Sequence, residues 1–289
     1  MTRLDKKKKI SLFDLHKYSE WYEILNGKKE TEVRKKSKKE VLREFENEKW
    51  KSLYEYLRKN PNLTVLDVDK ILYSNKINIP IFFENNFYMV TPYEAHRLHI
   101  DLYVKVISKY LEEGISLIEF GAGYGSKILN LSLLKPFKNT SMTAGELTLN
   151  GQKIIKKLSD NMNKNVKSIY CDLGALDFSE INIPENSIIF TSYSAHYVPF
   201  LNKNFVEKML SLKPKVVIHF EPCYELNSSK SKFELMCKKY IEINDYNRNL
   251  FSVLKANEKE EKINLFYKKN IIGSNPFLPI SVIEWSPLE

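Results

Sequence analysis

Leu117-Ile-Glu-Phe-Gly-Ala-Gly-Tyr-Gly-Ser-Lys-Ile-Leu129 is the stretch on which the reading of this chain turns. An apolar strand ends in an acid, passes through Gly121, Gly123 and Gly125, and runs into a segment with helical apolar spacing. Glycines permit positive φ and let the backbone approach a ligand closely, while free amides at a helix start favour a carboxylate or phosphate. The spacing is Gly-x-Gly-x-Gly, not the Gly-x-Gly-x-x-Gly of a nicotinamide or flavin dinucleotide site. By itself such a loop also serves tight strand–helix packing, so its neighbours decide what it is for.

Outward from the loop, strand and helix patterns alternate. Strands are expected at 115–120, 141–145, 166–171, 187–192 and 216–220, with helical stretches between them. The last two are apolar on both faces, as in buried parallel strands. A long helix is expected over about 233–257, then a closing pair of strands at 263–268 and 280–285. This pattern predicts an α/β fold, a doubly wound and mostly parallel seven-stranded sheet ending in an antiparallel hairpin. Glu146 falls at the end of the second strand, 21 residues past Gly125, where an acid can accept both hydroxyls of a ribose. Asp172 ends the third strand, where a carboxylate can meet an adenine amino group. Either acid alone is as easily a helix cap or a surface charge; their order after the glycines favours a cofactor. No Gly-Lys-Ser/Thr phosphate loop is present, which argues against nucleotide triphosphate hydrolysis.

At these residues the chain resembles the class I S-adenosylmethionine-dependent methyltransferases. The resemblance covers about residues 92–289 and implies cofactor-binding roles for Glu119, Gly121, Gly123 and Gly125 at the methionine moiety, Glu146 at the ribose and Asp172 at the adenine. It implies S-adenosylmethionine as cofactor and S-adenosylhomocysteine as product. No named subfamily is marked by the residues present.

Methyl transfer from a sulfonium is an in-line displacement, so the protein mainly holds the nucleophile near the methyl carbon and excludes water. The strand ends point to two segments. Thr191-Ser-Tyr-Ser-Ala-His-Tyr-Val198 offers Tyr193 and His196 as catalytic candidates, the imidazole being able to take a proton near neutral pH. It lacks the Asn/Asp-Pro-Pro-Tyr/Phe signature of many amino-methylating enzymes, and a histidine at position 196 equally suits capping the next helix or packing against the sheet. His219-Phe-Glu-Pro-Cys-Tyr-Glu225 offers Glu221 as catalytic and Glu225 as substrate-binding, two acids suited to a cationic amine or guanidinium, or else to capping. Tyr93, His96 and Arg97, on a helix opened by Thr91 and Pro92, are further substrate-binding candidates. His96 and His99 share a helix face, yet Cys171, Cys223 and Cys237 are scattered and complete no metal site, so none is expected.

Residues 1–91 lie outside the resemblance and read as a basic, mostly helical cap or lid on a 92–289 catalytic domain. Apolar residues at helical spacing fill 40–59, a short helix is expected at 65–72, and 79–90 reads as a small hairpin. Residues 1–60 carry 18 basic and 11 acidic side chains, against 27 and 25 in the rest. That excess is either a docking surface for an anionic partner or the solvated face of lysine-rich helices. The run Lys28–Lys39 contains no aromatic residue, which disfavours nucleic acid without excluding it.

With 289 residues and 43% hydrophobic content the chain can bury a sizeable core. Three cysteines in no paired spacing fit a reducing compartment, and no apolar run approaches the roughly 20 residues of a membrane span. The basic start is followed by no apolar leader core, so a cytoplasmic protein is expected. The leading expectation is an enzyme methylating nitrogen or oxygen of a small molecule, with a lean toward a basic amino or guanidino nitrogen. An RNA or protein methyltransferase and a non-catalytic cofactor-binding scaffold are the alternatives. A homodimer is left open.

Overall fold

Central strands buried on both faces, with helices packed against each side, build two cores, one on each face of a single sheet. The computed structural model describes residues 4–178 and 182–288. Its strands are β1 (Lys9–Ile10), β2 (Ile79–Phe83), β3 (Asn86–Val90), β4 (Ser116–Phe120), β5 (Ser141–Glu146), β6 (Val166–Tyr170), β7 (Ile188–Ser192), β8 (Val216–Glu221), β9 (Ile263–Gly273) and β10 (Ile280–Pro287). Across the sheet they run β1-β3-β2-β9-β10-β8-β7-β4-β5-β6.

The five strands β6-β5-β4-β7-β8 are parallel, and β10 lies antiparallel between β8 and β9. Leu117, Ile188, Phe190, Ile218 and Val282 pack on one face, and Ile118, Phe120, Ile189, Val217 and Ile283 on the other. The strand order reverses between β4 and β7, and in doubly wound sheets ligands bind beyond the carboxyl ends of the strands at that point. The glycine loop follows β4, so it opens onto this crevice.

Ten strands rather than seven form the sheet. The expected 79–90 hairpin exists and joins the sheet: β2 pairs with β9 at Phe82↔Gly273 and Phe83↔Ile272, and β1 pairs with β3. Its two-residue turn places Glu84 and Asn85 at φ 43° and 66°, the both-positive geometry of a tight hairpin.

The helices are α1 (Trp21–Leu25), α2 (Lys38–Leu42), α3 (Trp50–Lys59), α4 (Val65–Leu72), α5 (Pro92–Ile107), α6 (Ser126–Ser132), α7 (Leu149–Asn161), α8 (Phe205–Leu210), α9 (Lys232–Ile243) and α10 (Leu250–Lys259). Between α2 and α3, residues Arg43–Lys49 continue the helix with π geometry. The single long helix expected at 233–257 is two. Asp245 at φ 51° ends the first, and the intervening Asn247 and Arg248 donate their backbone N–H groups to His196 O (2.8 Å) and Pro199 O (3.0 Å). The break grips the segment that follows β7. No helix among the described residues is long and apolar enough to cross a membrane.

Candidate active site

The glycine loop is shaped by its neighbours on both sides. Gly121 N–H and Ala122 N–H donate to Gly145 O at 2.8 and 3.0 Å, which seats the loop on the end of β5. At Gly121, φ is +72° and a Cβ would lie 2.3 Å from the Ser194 Cβ, so any other residue would push the β7 segment away. Gly123, at φ +61°, donates its N–H to Glu146 Oε2 at 2.8 Å and lies under the Trp50 ring. Gly125, at φ +82°, begins α6.

Glu119 is fully buried behind this loop. Its Oε2 accepts from Ile128 N–H (3.1 Å) and its Oε1 lies 3.2 Å from Lys127 Nζ. Burial raises its pKa to about 7 against the opposing pull of Lys127. It is not among the residues that line the cleft, so the acid expected to touch the methionine moiety instead fastens the loop to α6.

The cleft beyond the strand ends has a volume of about 250 Å³, just below the ~300–1,000 Å³ of small-molecule and cofactor sites. Gly121, Gly123, Glu146, Asp172 and Tyr193 line it together. Glu146 Oε1 accepts from the Thr148 hydroxyl (2.6 Å) and Thr148 N–H (3.0 Å). Burial raises the pKa of Glu146, while these bonds and the Gly123 amide favour its charged form. Asp172 Oδ1 accepts from the Gly174 and Ala175 N–H groups at 2.9 and 3.0 Å. Its Oδ2 meets Lys38 Nζ at 2.6 Å. Two acids from successive strands and the glycine loop that precedes them thus meet in one space.

The acceptor side differs from expectation. Glu221, completely buried at the end of β8, accepts from the backbone N–H of Ser194 (3.0 Å), Ala195 (3.0 Å) and His196 (3.3 Å), and its Oε2 lies 3.3 Å from His196 Nδ1. Burial alone would raise its pKa, but the His196 contact and the amides outweigh it and lower the carboxyl below its ordinary value. Its geometry is that of a clamp on the segment after β7, not of a catalytic group facing substrate. His196 is 3% exposed and sits behind the cleft wall, its ring 4.2 Å from that of Tyr197 and 4.6 Å from that of Tyr246. Tyr193 and Tyr197 form that wall. Tyr193, held at φ 49°, donates its hydroxyl to Leu278 O at 3.2 Å, and burial raises the pKa of its phenol.

Glu225 accepts from Phe251 N–H (2.9 Å) and Ser252 N–H (2.7 Å), capping α10, and it does not reach the cleft. The substrate-binding candidates on α5 are also elsewhere. His96 is buried with its Nε2 3.0 Å from Asp69 Oδ2 and its ring stacked on Tyr73; Arg97 Nη1 reaches Asn130 Oδ1 at 3.5 Å; Tyr93 lies beside His96. Their helix face turns toward α4 and the back of the glycine loop, which is why none lines the cleft.

Asp69, a residue the sequence reading passed over, is the hub there. Its Oδ1 accepts from the Tyr124 and Ser126 hydroxyls (both 2.9 Å) and its Oδ2 from Asn130 Nδ2 (2.6 Å), beside the His96 ring. A buried acid on the apolar face Val65, Val68, Asp69 was the signal available. Also unforeseen are Lys36, Lys38, Phe45 and Trp50, which line the cleft from the N-terminal region. Among the lining residues there is no histidine, and no carboxylate other than Glu146 and Asp172.

The strand order is that of a doubly wound, mostly parallel sheet with the antiparallel β10 inserted between β8 and β9. No family model matches the chain and no curated protein matches its sequence. Among solved structures it is similar to the small RNA methyltransferase HEN1 (16% identity, TM-score 0.48), covering 71% of this chain but only 29% of that one. It is similar to magnesium protoporphyrin IX methyltransferase from Synechocystis PCC 6803, solved with bound SAM (9% identity, 68% and 81% of the chains, TM-score 0.46). A putative caffeoyl-CoA O-methyltransferase from Staphylococcus aureus aligns over 82% of this chain and 98% of its own (15% identity, TM-score 0.46).

Proposed function

We propose that the cleft binds S-adenosylmethionine and that the protein transfers its methyl group to a nitrogen or oxygen of a small molecule. One observation carries the cofactor reading: the glycine loop, Glu146 and Asp172 converge on a single cleft at the switch point of the sheet. The loop and the amides that begin α6 suit the methionine end, Glu146 the ribose hydroxyls and Asp172 the adenine amino group. The bound cofactor supplies an electrophilic methyl on a sulfonium.

The chain's own contribution is to hold and to exclude water. Phe45, Trp50, Tyr193 and Tyr197 wall the space beside the loop, and such a dry wall suits a small acceptor better than a polymer. The lean toward a cationic acceptor loses its support, because Glu221 and Glu225 are both engaged by backbone amides. Without a histidine or a spare carboxylate on the wall, the acceptor is one that enters with its lone pair free. His196 then acts as a positioning residue, through Tyr193 and Tyr197. The region 1–91 serves as the lid of the 92–289 unit, and S-adenosylhomocysteine is the product.

Calorimetric titration tests this. S-Adenosylmethionine and S-adenosylhomocysteine should bind, and NAD and ATP should not. Glu146→Gln should weaken both by about ten- to a hundredfold, the worth of hydrogen bonds to a charged group. Binding of NAD or ATP in their place, or indifference to Glu146→Gln, would refute the assignment.

A further inference from the structure

We infer that the segment Ser37–Trp50 is a latch on the cleft, in which the Lys38 ammonium occupies the carboxylate oxygen that an adenine amino group would take. The inference rests on the cofactor reading above for the identity of the incoming ligand, but not for the existence of the latch.

The two oxygens of Asp172 are held differently. Oδ1 is tied to the chain's own turn by the Gly174 and Ala175 amides. Oδ2 is bonded to Lys38 Nζ, at 2.6 Å. An exocyclic amino group and an ammonium are both N–H donors, and they compete for the same oxygen. The partners also differ in exposure: the Asp172 side chain is 5% exposed and that of Lys38 55%. The acid belongs to the floor of the cleft, whereas the lysine reaches it from outside.

The other end of the cleft is covered from the same segment. The Trp50 ring lies so close over Gly123 that a Cβ there would stand 3.1 Å from its Cζ2. A ligand laid along the loop has to move that ring. Lys38 and Trp50 therefore meet the two ends of the cleft, and Val41 and Phe45 line it between them.

The segment is moored before Lys38 and again at Glu46, so the part that can shift with the Lys38 ammonium is the stretch between those two points. Upstream, Arg34 N–H donates to Ile243 O (2.8 Å) and Lys36 N–H to Asp245 Oδ2 (3.1 Å). Within the segment, Asn150 at the start of α7 donates its N–H to Glu46 Oε2 (2.9 Å) and its side-chain amide to Glu46 Oε1 (3.0 Å). Between Leu42 and Trp50 the helix takes the π form, which is rare and occurs frequently at functional sites. An ion pair with one exposed partner is weak enough to be opened by a ligand.

The test uses the full chain, the variant Lys38→Met and S-adenosylhomocysteine. In ligand-free protein, hydrogen exchange over residues 38–50 should be faster in Lys38→Met than in the parent, with the amides of β4, β5 and β7 unchanged as proof of an intact fold. S-Adenosylhomocysteine should bind Lys38→Met roughly two- to fivefold more tightly, the ratio that release of a weak ion pair allows. Added salt should bring the parent toward the variant. Asp172→Asn should speed exchange in the same segment yet weaken binding, which separates the two roles of the acid.

Unchanged exchange in Lys38→Met, or binding that is equal or weaker, would overturn the latch, since Lys38 would then be a bystander or a ligand contact. Failure of the cofactor reading looks different. S-Adenosylhomocysteine would bind neither protein, and the exchange difference would still report whether Lys38 closes the cleft.

Discussion

Two pairs of acids stand at strand ends in this molecule, and they do opposite things. Glu146 and Asp172, after β5 and β6, are fixed by backbone and hydroxyl donors yet both line the cleft. Glu221 and Glu225, at and after β8, stay out of it: one, fully buried, gathers three amides of the β7 segment, and the other, half-buried, caps α10. A buried carboxylate is a binding group only when its surroundings leave an oxygen facing an open space. One whose lone pairs all meet amides is a structural fastening, however suggestive its place on the sheet.

The comparison breaks most visibly at Glu221. Glu221→Ala strands the amides of Ser194, Ala195 and His196 in a dry interior, and a loss of about 3 kcal/mol or more is expected. Urea midpoints measure it, with the unfolding slope unchanged. A variant that kept its stability and lost only turnover would return Glu221 to the catalytic list.

Asp69 makes a smaller and more local test. Asparagine keeps one acceptor but turns an amide toward donors already present, so Asp69→Asn should cost about 2 kcal/mol. Because Tyr124 and Ser126 sit in the cleft wall, affinity for S-adenosylhomocysteine should fall with it. Stability lost with affinity intact would show that α4 merely packs. Glu225→Ala should cost about 1 kcal/mol, the worth of a helix cap, with ligand affinity unaltered. A change of affinity there would place Glu225 with the cleft acids after all.

The sequence made the strand–helix alternation legible because β4, β7 and β8 are apolar on both faces and their neighbours are not. Glu146 and Asp172 were legible because a glycine loop dates the strands that follow it. The acceptor side was not. Nothing in Glu221 distinguishes it from Glu146 except what the amides of a distant segment do, and those amides are placed by the break at Asp245, itself hidden in an otherwise helical run. His96 and Arg97 were misplaced for a related reason: spacing tells which residues share a helix face, not which neighbour that face meets. Here it meets Asp69. The three added strands depend on Phe82 finding Gly273, a pairing that no local pattern announces.

Those added strands move the boundary of the sheet to a two-residue strand, Lys9–Ile10, preceded by Lys6, Lys7 and Lys8. The next strand inward is Asn-Phe-Tyr-Met-Val, whose unpaired edge would be an apolar template for any other extended chain. A short strand carrying a row of ammonium groups ends that edge in a form that repels its own copies. Short edge strands and edge lysines are devices by which native sheets avoid pairing with further strands, a reading of the lysine run that needs neither an anionic partner nor a substrate.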